Sequence, residues 1–292
     1  MIHFLFAKTL HADNIPHAPL TAQKLQRACI DYREKVTTSG HFELRFRLEK
    51  FSPSQEAWES SKTVFVAGEN IRFDIRDAFS ADDSHKEQIV ITPVHYIWAP
   101  RPGHEVTVAP INEYQSEPGG AAGQFGVFHP KWIGMGLNSE SRMNYDLSAR
   151  TLSGNAVNTA WTVPTLNEAG YHVIHLPSSP TATKSRLTLQ FDLKRGCNLV
   201  KAEATYFDAN GNATLSKTMT AALAEWPHPT EGYVWFPKEV QRETLYKGVA
   251  TERSTLQVLS ATFSAPADDI FTINGLGLNE STRVSDRTAG IL

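Results

Sequence analysis

Ile71-Arg-Phe-Asp-Ile-Arg76, then Glu87-Gln-Ile-Val-Ile-Thr-Pro-Val-His-Tyr-Ile-Trp-Ala-Pro100, then Glu105-Val-Thr-Val-Ala-Pro110: these runs decide the fold. Ile71, Phe73 and Ile75 alternate with polar residues at period two, the pattern of a strand with one buried face. The second run ends in Tyr96 and Trp98 before Pro100 breaks it. Short polar turns, not helices, separate the runs, so they read as an antiparallel meander.

Outward from that stretch, the chain supports an all-β reading with one exception. Thr21 to Thr37 has helical spacing, with Leu25, Ala28, Cys29, Tyr32 and Val36 on one stripe, Thr21 placed to cap it and Gly40 to stop it. From His41 to Lys50 the period switches to two, with Phe42, Leu44, Phe46 and Leu48 on one face and charged residues on the other. Glu117 to Gln124 is rich in Gly, Ala and Pro and reads as a loop or lid, and Phe125 to Gly136 as a short helix or irregular plug. Alternation returns at Tyr171–Leu176, Leu187–Leu193 and Leu199–Phe207, with Arg195-Gly196 and Asp208-Ala-Asn-Gly211 as tight turns. Tyr233–Tyr246, Thr255–Phe263 and Phe271–Leu278 complete roughly ten to twelve strands, sharing one pattern on both sides of the Gly-rich loop. One domain over 19–292 is therefore expected, behind a leader of residues 1–18.

The 292 residues are 41% hydrophobic, enough for a substantial core, and carry a net charge of −3. No block of Lys and Arg marks a nucleic-acid surface, and no apolar run approaches the roughly 18 residues of a membrane-spanning helix. Met1 to Ala7 is apolar and resembles the tail of a secretory signal peptide without its basic region; a plain leader or short edge strand reads equally well. Cys29 and Cys197 are the two cysteines, and spacing alone leaves both a disulfide and two free thiols open.

Motifs for chemistry are scarce. His172 and His175 stand three apart on a strand and so point to opposite faces, which denies them a shared metal ion. Asp208 to Asn212 opens like a calcium loop, but Met219 stands where the bidentate Glu belongs, leaving a hairpin turn. Asp82-Asp83 and Asp268-Asp269 read as solvated turns, and no nucleophile elbow, phosphate loop or Cys-x-x-Cys occurs. No cofactor, metal or catalytic residue is expected, although an all-β hydrolase built on scattered carboxylates needs no local motif. A curled sheet must fill its concave face, and one helix over 21–37 is short for a sheet of about ten strands. That shortage argues for a cavity.

The opening third resembles the LolA/LolB family of periplasmic lipoprotein carriers and localisation factors. Ser39-Gly-His-Phe-Glu-Leu-Arg-Phe46 matches that family's first strand and Ile71-Arg72-Phe73-Asp74 its arginine-bearing one. Gln88–Ile91, Tyr96–Pro100 and Glu105–Val108 match its hairpin and the following strand, with Thr92-Pro-Val-His95 in place of the usual glycine turn. Phe191–Gly196, Gly232–Pro237 and Asp269–Leu278 are similar to long LolA-like proteins of bacteria such as planctomycetes. The resemblance implies an unclosed antiparallel β-barrel with a helix on its concave face, exported to the periplasm or cell envelope. It implies no catalysis, and binding of a lipid or lipoprotein acyl chain in concert with a membrane-associated partner. It also implies that Arg72 contacts a lid or the helix.

Phe46, Phe73, Trp98, Phe191 and Trp235, from five strands, are the candidate cavity lining. Clean alternation points Phe46, Phe73 and Phe191 inward; Ile97 and Phe236 beside the two tryptophans leave those unassigned. The same five residues fit a dry core, and the function classes left open are carrier, secreted polysaccharide hydrolase and structural sheet.

Overall fold

A computed structural model describes residues 20–51, 56–77, 86–100, 104–111, 128–137, 162–176, 185–278 and 280–288. The expected leader 1–18, the loop 117–124 and the Asp82-Asp83 pair lie outside the described residues. One sheet of fourteen strands organises the rest. β1 (Ser39–Lys50), β2 (Glu56–Ala67), β3 (Asn70–Asp77), β4 (Lys86–Ile91), β5 (His95–Ala99) and β6 (Val106–Pro110) run outward from the centre as a meander. A second meander returns from the far edge: β7 (Thr165–Leu166), β8 (His172–Leu176), β9 (Ser185–Asp192), β10 (Asn198–Phe207), β11 (Ala213–His228), β12 (Gly232–Tyr246) and β13 (Val249–Thr262). β13 pairs with β1 and joins the two halves, and β14 (Val284–Asp286) adds to β6 as the one parallel pair among the described residues. The order begins at β14 and ends at β7, so the sheet curves without closing.

Contacts between strands that are not neighbours accompany the curvature. Phe42 on β1 and Phe236 on β12 are two strands apart, about 9–10 Å in a flat sheet, yet their ring centroids lie 5.7 Å apart. Register shifts opposite Glu43/Leu44 and Ala222/Leu223 leave Leu259 of β13 and Lys238 of β12 as extra residues, bulges that bend the sheet between these rings. The inner face so formed gathers apolar side chains of β1–β4 and β8–β13 into one core.

Helix α1 (Ala22–Val36) packs into that core, capped by the Thr21 hydroxyl, which accepts from the Lys24 N–H at 3.2 Å. Its buried stripe is Ala22, Leu25, Gln26, Cys29, Ile30, Arg33 and Val36. Ala28 is exposed and Tyr32 half-buried, so the stripe is rotated from the expected one toward Ile30 and Arg33. The expectation that Gly40 stops the helix is also corrected: Thr37 is the C-cap and Gly40 already belongs to β1. Gly40 is required for close approach, since a Cβ there would lie 2.5 Å from the Thr262 carbonyl oxygen.

Two long strands escaped the sequence reading, β2 and β11, whose mixed polar composition hides the period. Conversely, Phe271–Leu278 is not a strand. It forms 3-10 turns at Asp268–Phe271 and Asn274–Leu276, where Gly275 sits so close to the Asp269 carbonyl that a Cβ would approach within 2.2 Å. These turns press Phe271 and Leu276 onto Val90, Ile97, Ala99, Val106 and Val108, a second, smaller core on the outer face of β4–β6. The sheet is therefore covered on its inner face along most of its width and on its outer face at one end.

Candidate functional site

The inner face is built from pairing registers. Phe42, Val64, Phe73, Ile89 and Trp98 form one transverse row across β1–β5. Leu48, Ser254, Arg242, Met219, Ala202, Leu189 and Ile174 form another across β1 and β13 to β8. Of the five expected lining residues, Phe46, Phe73 and Phe191 come together in the inner core, each at most 3% exposed. Trp98 is on the inner row but at its open margin, 41% exposed, with its indole N–H donating to Glu87 Oε1 at 2.7 Å. Trp235 lies outside that core between inward Val234 and Phe236, its ring 5.4 Å beneath the Arg195 guanidinium. Arg72 points to the outer face, opposite α1. It pairs with Asp74 at 2.7 Å and donates to the carbonyls of Ile270 and Gly275, so it holds the C-terminal turns.

The helix does not fill the inner face alone. Residues 128–137, around the 3-10 turn Pro130–Trp132, insert Phe128, Ile133, Met135 and Leu137 into the core. Gly134, at φ +72°, passes so close to β12 that a Cβ would meet Val240 at 3.2 Å. Two buried arginines hold this plug by its backbone oxygens. Arg33 of α1 donates to Ile133 O at 2.6 Å and Pro130 O at 3.3 Å, and to Asn198 Oδ1 at 2.7 Å, with its guanidinium 4.8 Å over the Phe236 ring. Arg242 of β12 donates from Nε to Gly136 O at 3.0 Å. Burial pulls both guanidinium groups down to about 10, still cationic at neutral pH. Lys62 of β2 faces the same side, 4.0 Å over the Phe128 ring and hydrogen-bonded to Ser60.

Neighbouring groups are tuned by burial in the same way. His129 accepts the Lys131 N–H on Nδ1, and burial, with the Lys131 charge, holds it down to about 4. Cys29 and Cys197 are free thiols where α1 meets the start of β10, and burial pushes Cys29 up to about 11, which makes it unreactive. His172 and His175 diverge as their spacing requires; His175 Nδ1 meets the Thr188 hydroxyl at 3.0 Å on the exposed side. Asp208 accepts the N–H groups of Asn210 and Asn212, closing the turn between β10 and β11. Among the described residues no cluster of His, Cys, Asp and Glu is arranged to hold a metal ion, and no helix is long and apolar enough to cross a membrane.

Arg33, Lys62 and Arg242 were absent from the sequence reading, yet a signal for them existed. Arg33 continues the Cys29/Ile30 stripe at helical spacing, and Arg242 follows Val240 at spacing two, so periodicity alone points both inward.

No family model matches the chain, and no curated protein matches it in sequence. Among solved structures it is similar to a LolA superfamily protein from Nitrosomonas europaea at 14% identity, over 88% of this chain and 99% of that one, with a TM-score of 0.43. It is similar to a DUF1329 family protein from Desulfovibrio piger at 8% identity, over 86% and 98% of the two chains, also at 0.43. A third is a domain assigned as an outer membrane lipoprotein-sorting protein from Vibrio parahaemolyticus, at 9% identity over 86% and 99%, again at 0.43.

Proposed function

We propose that the protein is a non-enzymatic carrier of the cell envelope that takes an apolar ligand, a lipid or a lipoprotein acyl chain, onto the inner face of its open sheet. The observation that carries this reading is the make-up of that face. Apolar side chains of β1–β4 and β8–β13 converge there, and part of what covers them is a ten-residue plug, 128–137, which inserts four apolar side chains and is tied down by arginine-to-carbonyl bonds. An acyl chain that displaced the plug would replace one apolar cover with another and keep the inner face dry, its own burial, at roughly 0.8 kcal/mol per CH₂, offsetting the contacts the plug gives up. Phe46, Phe73 and Phe191 would line its path, with Trp98 at the open margin. The sequence resemblance to lipoprotein carriers supports the same reading and an exported location.

The hydrolase alternative finds less support. A polar groove of about 330 Å³ over β9–β11 is lined by Arg186, Thr188, Glu203 and Lys217, with Glu203 the only lining carboxylate among the described residues, and Glu203 is bridged to Lys201 at 2.8 Å. A glycosidase needs two carboxyl groups roughly 5–10 Å apart. Hydrogen exchange with and without an oleoyl-chain ligand tests the carrier reading. Altered protection of 128–137 and of β12 is expected, with the outer turns 268–276 unchanged. Changes confined to the outer face, or none, refute it.

A further inference from the structure

Arg242 is an interior cation whose two terminal nitrogens are left without hydrogen bonds among the described residues, where Arg33 leaves only its Nε. It is 5% exposed, and while Nε donates to Gly136 O, neither of its two terminal nitrogens has a hydrogen-bond partner among the described residues. Directly across the strand pair stands Ser254, 3% exposed, whose hydroxyl also lacks a partner there. The other neighbours on that face, Met219 across β11 and Val240 along β12, are apolar and fully buried. Arg33, by contrast, spends its terminal nitrogens on three oxygens. A buried charge costs several kcal/mol unless it is paired and its donors are satisfied. A guanidinium presents its remaining N–H groups as a planar fork that fits two oxygens of one carboxylate or phosphate.

We infer that Arg242 and Ser254 form an anion subsite on the inner face, one that receives the carboxylate or phosphate head of a single amphiphile whose chain lies along Val240, Leu256 and Phe46. This rests on the carrier reading and narrows it from any apolar ligand to an acidic one. Placing the head at β12–β13 puts the chain in the row Phe46–Leu256–Val240, where the registers align those side chains across the sheet. The charged head completes the guanidinium fork, and the hydroxyl supplies one further donor.

The test is titration of the full chain at pH 7.5 with oleate, with methyl oleate (the same chain without charge) and with inorganic phosphate. Wild type should bind oleate at least tenfold more tightly than methyl oleate, the scale expected for hydrogen bonds to a charged group. Arg242→Met should bring the two ligands within about twofold, Arg242→Lys should keep an intermediate preference, and Ser254→Ala should reduce it about threefold. If Arg242→Met does not fold, the lysine and alanine variants still read the preference. Equal binding of both ligands by wild type, or a preference untouched by the lysine and alanine variants, overturns the subsite and leaves the carrier reading standing. Failure of both ligands to bind defeats both proposals. Phosphate that displaces oleate at equal concentration overturns the amphiphile assignment in favour of a free-anion site.

Discussion

Phe73→Ala separates a packed inner face from a preformed cavity. Phe73 is 2% exposed and sits between Val64 of β2 and Ile89 of β4 on the inner row, both of them 1% exposed or less. Its ring is therefore surrounded by side chains, and truncation leaves a hole that its neighbours close only in part. Such substitutions cost about 3–5 kcal/mol. With an unfolding entropy near 2.1 cal/mol/K per residue, a 292-residue chain has about 0.6 kcal/mol/K, so Tm should fall by about 5–8 °C. Urea denaturation followed by tryptophan fluorescence measures the free energy directly, with an unchanged m-value showing that the same surface unfolds. Phe73→Leu, which retains most of the volume, should cost less than half as much. A loss below about 1 kcal/mol for the alanine variant would refute the packing argument, because only the wall of an existing cavity tolerates losing a ring at that cost.

Gly196 is at φ +73° with the Tyr32 ring where its Cβ would go, 2.2 Å away, so Gly196→Ala should break the two-way hydrogen bond between Tyr32 and the Trp235 backbone and cost about 2–4 kcal/mol in the same urea assay. Thr21→Ala removes the helix cap and should cost about 1 kcal/mol. Arg72→Met should leave the inner core intact and release the C-terminal turns from the outer face, read as faster proteolysis near 268–278 with an unchanged near-ultraviolet spectrum. His129 is depressed to about 4 from an ordinary 6.5, so the folded state binds the proton less well than the unfolded one. Stability should be complete above pH 6.5 and fall as pH drops toward 4, and His129→Asn, which can still cap the turn, should flatten that decline.

How much of this was legible in the sequence depends on whether a side chain's role was local. β1, β3, β9 and β10 announced themselves because their apolar residues alternate cleanly, and the same alternation placed Phe46, Phe73 and Phe191 on one side. β11 did not, because Met219 is its only fully buried residue, with Ala221 and Trp226 packed partly against the core out of phase with each other, and the Ser, Thr, Lys and Glu around them mask the alternation. The C-terminal turns misled in the opposite sense: Phe271 and Leu276 are apolar because they cover the outer face of β4–β6, a contact between segments more than 150 residues apart. Gly40 looked like a helix stop and is instead a close-packing residue, a distinction that only the position of Thr262 makes visible. Arg72 was singled out, and the alternation that sends Phe73 inward also sends Arg72 outward. The buried arginines of the inner face were passed over because charge reads as surface until periodicity is applied to polar residues as strictly as to apolar ones.

Native mass spectrometry of the full chain, purified without detergent and then incubated with lipid vesicles, tests the central claim most directly. The account predicts a species heavier than the bare chain by the mass of one acyl-bearing lipid, diminished when Phe46 is replaced by Asp on the inner face and unaffected when Trp235 is replaced by Ala outside it. A spectrum holding only the bare chain before and after incubation, from protein shown by circular dichroism to be folded, would contradict it.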